Sequence, residues 1–490
     1  MSEIHDLTVL ELAAALREGA LGAVEVTEHT LSRAESLGPR VGAFVVLAPE
    51  LALEQARAAD AALAAGRRGR TTAGLPPLLG VPCPVKDLTM VAGVPMRAGS
   101  AAIEGFVPPV DDGVVTLLRA AGTVMIGKTN TPELGLPAYT EPEVAPPART
   151  PWDLGRSAGG SSGGAGAAVA SRIVPVAHGN DGGGSLRIPA SACGLVGHKP
   201  SRGLVSWGPN AVDGAGLASH GVLTRTVRDT AVLVDVLARP GLGDTFHAPP
   251  TDAGTFLRAC DQAPGRLRVG VLTEPVVAGD AVVHPDCLDA VSRAARLLAD
   301  LGLEVVPAPV PFASGEWEPF MALWSVGALQ APVPEGSEHL LRPLTRWLRE
   351  TGRATSGLEH ARALAGAQRL TRLVAREWDA FDVILTPTLA QPPAPVGALR
   401  DDADPAADFA AQTRYTPWTS VANITGRPSI SLPVHEARSH DAATPQPGAT
   451  LPIGVMLTGR WGEDALLLRV AAALEEAVGW GRRVPPTGPR

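Results

Sequence analysis

From Gly66 onward the chain alternates short apolar runs with dense clusters of glycine, proline and serine, and with helix-forming stretches. Runs such as Val124–Ile126 and Ile173–Ala177 are too short for helices, and the breakers around them stop any helix from growing. Short, continuously apolar strands of this kind are usually buried on both faces by helices. The expected fold class is therefore α/β, a parallel or mixed sheet under helical layers. Further strands are expected at Leu267–Leu272, Val383–Leu385, Ser429–Val434 and Ile453–Leu457, with helices at His284–Leu301 and Glu463–Val478. Ahead of Gly66 the pattern is helical, over residues 8–37, opened by the capping box Thr8-x-x-Glu11, and over residues 50–65. Segments 240–265 and 434–450 read as loops. With no repeat and no long linker, residues 1–490 are expected to form one domain.

Several function classes drop out early. A net charge of −8 gives nucleic acid or an anionic membrane no reason to bind. No uncharged apolar run reaches the roughly 18 residues of a membrane span. The stretch MSEIHDLTVLELAAAL lacks the basic and apolar regions of a signal peptide. Cys83, Cys193, Cys260 and Cys287 form no metal-ligand spacing and no disulfide framework. These features lead us to expect a soluble, cytoplasmic protein without a metal.

Of 42 basic residues only Lys86, Lys128 and Lys199 are lysines. Arginine codon bias accounts for the scarcity. A surface charge accepts either residue, whereas only lysine can shed its proton when buried. A retained lysine is therefore a candidate for a task arginine cannot perform.

Four motifs compete for the chemistry. Gly122-Thr-Val-Met-Ile-Gly127-Lys128-Thr129 fits the letters of a phosphate-binding loop, but its four variable positions favour a strand rather than a loop of free N–H groups. Gly159-Gly160-Ser161-Ser162-Gly163 fits the nucleophile elbow, yet no apolar strand leads into it and no histidine stands out as a partner. Asp181-Gly182-Gly183-Gly184-Ser185-Leu186-Arg187 follows a strand and precedes a helix-compatible stretch. Its glycines let successive N–H groups converge, which suits an oxyanion hole at Gly182, Gly183, Gly184 and Ser185, although an ordinary glycine turn would look the same. Finally, Lys86 sits in the apolar stretch LLGVPCPVKDL, where burial would lower its pKa toward that of a general base.

Taken together, PVKD at 84–87, GRSAGGSSGGAGAA at 155–168 and NDGGGSLRIPAS at 180–191 resemble the amidase signature family. Lys86 precedes Ser161 by 75 residues and Ser161 precedes Ser185 by 24, spacings similar to the family's. The resemblance extends from LTVLELAAALREG to PIGVMLTG. It implies an α/β/α sandwich around a large mixed sheet, with a signature core over about 75–240 and a variable pocket region over about 305–420. It also implies Ser185 as nucleophile, Ser161 as a relay on a cis peptide bond, and Lys86 as base. Ser162 would help hold Lys86, and Asp181 and Arg187 would brace the loop. No cofactor is implied. Gly182 departs from the Thr, Ile or Ala usual in the family, and a looser oxyanion loop is expected from it.

The stretches GKTNTPELG, TEPEVAPPARTPWDLGRSAGG and GDTFHAP are similar to those of the family's nylon-oligomer amidases. The implied partner is a small amide of 6-aminohexanoate type, cyclic or linear, and Asn130, Gly135 and Trp324 are candidate substrate contacts. Aryl- or alkyl-amide hydrolysis, carbamate hydrolysis and the amidotransferase subunit serving glutamyl-tRNA remain alternatives. A homodimer is the open question of assembly.

Overall fold

The computed structural model describes residues 3–69, 71–72, 74–212, 214–438 and 450–486. Its eleven strands, among the described residues, are β1 (Phe44–Leu47), β2 (Val85–Lys86), β3 (Gly127–Thr129), β4 (Val176–Asp181), β5 (Val196–Lys199), β6 (Ser219–Thr224), β7 (Arg268–Val271), β8 (Glu304–Pro307), β9 (Val383–Pro387), β10 (Ser429–Arg438) and β11 (Thr450–Gly459). Eight form one sheet in the order β4-β6-β5-β10-β11-β9-β7-β8, and β1-β3-β2 form a small second sheet. Only the β7–β8 and β7–β9 pairs of the large sheet are parallel, so it is mixed, with an antiparallel majority.

The period of two along each strand sorts side chains onto two covered faces. Ile430, Leu432, Val434, Val455 and Leu457 pack with the helices Pro285–Asp300 and Asp464–Val478. Ile384 and Met456 face the other way, toward Trp378, Trp418, Val421 and Ile424. Each such aliphatic side chain contributes about 1.5–3 kcal/mol by leaving water. The result is the sandwich of helix, sheet and helix.

Local boundaries differ from expectation in instructive ways. The expected helix over 8–37 is two, Val9–Glu18 and Ala23–Val41, because Gly19 adopts φ 80° and ends the first; the Thr8–Glu11 capping box is present. The strand expected at Ile173–Ala177 begins later and runs through Asp181, its hydrogen bonds supplied by antiparallel β6. The strand expected at Val124–Ile126 lies at Gly127–Thr129. Segment 240–265 contains a short helix, Thr255–Ala259. Of the expected loop 434–450, residues 434–438 belong to β10 and 439–449 lie outside the described residues. No described helix is long and apolar enough to cross a membrane.

Candidate active site

Strands β2 and β4 and two glycine-rich loops meet at one point. Parallel pairing with β3 places Lys86 opposite Thr129. Lys86 is fully buried. Its Nζ lies 2.7 Å from Ser161 Oγ and 2.7 Å from Asn180 Oδ1. No carboxylate pairs with it among the described residues. Burial therefore holds its pKa well below the ordinary 10.5, with only a partial opposing pull from the Asp181 carboxylate. Lys128 is the contrast: equally buried, it has Asp87 at 3.2 Å and donates to the Thr89 carbonyl at 2.7 Å. The lysine of the phosphate-loop look-alike is thus an ion-pair partner on a strand. Lys199 is buried too, and burial, together with the nearby Arg187 charge, draws it down to about 7.

The loop before the helix Gly163–Ala170 carries Ser161, whose peptide bond with Gly160 is cis. A Cβ on Gly160 would stand 2.7 Å from the Tyr139 backbone, so only glycine fits there. Ser162 does not reach Lys86, contrary to expectation. Its hydroxyl donates to the Asn180 carbonyl at 3.2 Å, so it steadies the residue whose side chain takes the second Lys86 bond.

Ser185 follows β4 after three glycines and precedes the helix Arg187–Cys193. Buried Asp181 ties this turn together. Its carboxylate accepts from the N–H groups of Gly184 at 2.8 Å and Leu186 at 3.1 Å, and pairs with Arg187 at 2.8 and 2.9 Å. Burial alone would raise the Asp181 pKa, but the Arg187 guanidinium holds it well below the usual carboxylate range. Asn423 binds both partners, accepting from Arg187 at 2.7 Å and donating to Asp181 at 2.9 Å. Gly184, at φ 135°, could not carry a side chain: a Cβ would meet Thr419 Oγ1 at 2.7 Å. Because its N–H is spent on Asp181, Gly184 drops out of the expected set of oxyanion donors. The N–H groups of Gly182, Gly183 and Ser185 make no internal hydrogen bond among the described residues. A Cβ on Gly182 would stand 3.2 Å from Trp324 Cζ3, so the indole occupies the room that the missing side chain leaves.

Ser185 opens onto a cleft that also holds Ser161, Asn180, Gly135 and Trp324. A Cβ on Gly135, which has φ 69°, would stand 2.4 Å from Leu88 Cδ1, so glycine is required beside Ser161. No hydrogen bond joins the Ser161 and Ser185 hydroxyls, a looseness common in catalytic sites without substrate. Asn130 lies outside the cleft. Its side-chain amide donates to the carbonyls of Gly42 at 3.0 Å and Pro146 at 2.8 Å, a structural clamp rather than the expected substrate contact.

No histidine bonds either serine among the described residues. His178 and His220 face each other at 3.1 Å, and burial lowers both, His220 to about 3. His198 instead pairs with Asp464 at 3.3 Å. The elbow reading of Ser161 therefore has no base of the usual kind. Asn180 was within reach of sequence, since it opens the motif NDGGGS. Asn423 lies in no motif.

An eight-stranded mixed sheet between helices, with a buried unpaired lysine beside two loop serines, defines an amide-hydrolysing enzyme: the chain belongs to the amidase signature family, whose amidase profile matches residues 25–468. Among individual proteins it is similar to the 6-aminohexanoate-cyclic-dimer hydrolases of Pseudomonas sp. (strain NK87) and Paenarthrobacter ureafaciens. Each is 37% identical over 500 residues, spanning 96% of this chain and 94% of theirs. The solved structure of a 6-aminohexanoate cyclic dimer hydrolase superposes with a TM-score of 0.89 at 31% identity, covering 99% of this chain and 100% of that one. A bacterial aryl acylamidase of the same family superposes at 0.82 and 26% identity, covering 98% of each.

Proposed function

We propose that the chain hydrolyses uncharged amides through a seryl acyl-enzyme. One observation carries this reading: Lys86 is buried without a counter-ion, 2.7 Å from Ser161, which lines the cleft that exposes Ser185. A neutral amine keeps a lone pair. Lys86 takes the Ser161 proton as Ser161 takes that of Ser185, and Ser185 Oγ bonds to the carbonyl carbon. The carbonyl electron pair moves onto oxygen, where the N–H groups of Gly182, Gly183 and Ser185 receive it; such donors are worth about 10²–10³-fold each. Collapse breaks the C–N bond, Ser161 hands its proton to the leaving nitrogen, and Lys86 replaces it. Water then releases the acyl group as a carboxylic acid.

No Asp, Glu, Lys or Arg is among the described residues lining the cleft, where His360 is the only titratable group besides the serine hydroxyls. A linear 6-aminohexanoate oligomer carries an ammonium and a carboxylate that would have to shed water with nothing to replace it. A cyclic dimer has neither, and the relatives' activity supports it as substrate. Trp207 and Trp324 along the cleft favour a second reading, an arylamine leaving group. The four cysteines are free thiols, consistent with work in a reducing cytoplasm. Turnover of the cyclic dimer, its linear counterpart and acetanilides by the purified protein tests the substrate class. Preference for the charged linear dimer would overturn it.

A further inference from the structure

The cleft at Ser185 has two arms. The narrow one, about 60 Å³, is walled by Ile188, Trp317, Phe320, Trp324 and Phe409. The wide one, about 500 Å³, holds Ser161 and Asn180 and runs past Trp207 and Ala328 to His360. Ser185, Leu136 and Trp324 border both, whereas Ser161 borders only the wide arm.

Trp324 is the dividing wall, and it is fixed from two sides. Phe312, Trp317, Phe320 and Trp324 stack in a row, with centroid separations of 5.8, 5.0 and 5.4 Å. The helix Glu318–Gln330 brings Phe320 and Trp324 one turn apart on one face. Opposite, the missing side chain of Gly182 makes the room: a Cβ there would stand 3.2 Å from Trp324 Cζ3.

We propose that Trp324 divides an open-chain amide at its scissile bond, with the acyl group in the narrow arm and the amine in the wide one. The assignment rests on the Lys86–Ser161–Ser185 reading, because the nitrogen that Ser161 protonates must lie on the side of Ser161. The acyl group of an open-chain amide then takes the narrow arm. An apolar cavity of about 150 Å³ takes one benzene, so the narrow arm, at less than half of that, admits short, slender acyl groups and excludes a benzoyl ring. The wide arm accepts bulky amines. Gly182 is the complement of Trp324, and together they set acyl selectivity.

Two substrate series test this on the purified enzyme. With the amine held as 4-nitroaniline, kcat/KM should fall at least about tenfold from acetyl to benzoyl, the scale of a poorly fitting group in an apolar pocket. With the acyl group held as acetyl, aniline, 4-butylaniline and 2-naphthylamine should stay within about threefold of one another. Trp324→Ala should raise the benzoyl-to-acetyl ratio at least about tenfold while the amine series keeps its order. Gly182→Ala, which presses on the ring, should shift the same ratio. Trp324→Leu serves if the alanine variant fails to fold. Equal tolerance in both series, or a folded Trp324 variant with the wild-type acyl ratio, overturns the proposal. Loss of fluorophosphonate labelling and of all turnover in Ser185→Ala would then leave the triad standing. A Ser185→Ala enzyme active on both series would instead overturn the triad reading, and the chamber assignment with it.

Discussion

Two regions build the cleft by different physics. Around β4 and the serine loops, hydrogen bonds and one ion pair do the positioning: Asp181 alone receives Gly184, Leu186, Arg187 and Asn423. On the cleft side of the helix Glu318–Gln330 the contacts are aromatic, and the row of rings from Phe312 to Trp324 does the positioning. Hydrogen bonds fix direction, so the first region can hold reacting atoms in register. Apolar packing fixes volume, so the second can change what fits without disturbing what reacts. Changes in the first should therefore lower the rate on every amide alike, and changes in the second should reorder the amides.

The sharpest break of that contrast is Ser185→Ala, expected to lower kcat by about 10⁴-fold or more on any substrate in a steady-state assay. Lys86→Arg keeps the charge but cannot surrender a proton, and should cost about 10²–10⁴-fold, again across substrates. If it did so for cyclic but not aryl amides, the division of labour would fail. Arg187→Met leaves the Asp181 carboxylate buried without its partner, and should cost about 3–5 kcal/mol of stability by chemical denaturation.

The pH profile sharpens the comparison further. The base must be neutral, so kcat/KM should rise with pH through one ionisation lying well below 10.5, that of Lys86. The sign for stability agrees. Because the folded pKa of Lys86 is depressed, the unfolded chain binds more protons between the folded value and 10.5, and stability should rise with pH across that window. The mildest test is Phe320→Leu, expected to change kcat/KM by less than about tenfold and to do so unevenly across acyl groups.

The first region was largely legible in sequence, and the second was not. Lys86, Ser161 and Ser185 stand in contiguous motifs whose residue types carry their chemistry. Lys86 gained separate support as one of three lysines. Asn180 opens the motif NDGGGS, yet an amide there looks incidental beside Asp181. Asn423 arrives from the helix Thr419–Thr425 by a contact 242 residues away, which no local pattern encodes. The role of Asn130 is hidden in sequence because its partners are backbone carbonyls of Gly42 and Pro146, which any residues could supply. Trp324 was a candidate contact, but the ladder that fixes it depends on the register of a helix against a loop.

The three lysines have one more consequence. Each is at most 1% exposed, so none of the three lysines offers its amine at the folded surface. Succinimidyl dyes and lysine-acetylating enzymes would find no lysine to modify while the fold holds. Covalent amine labelling of this protein is in effect a clock for its opening.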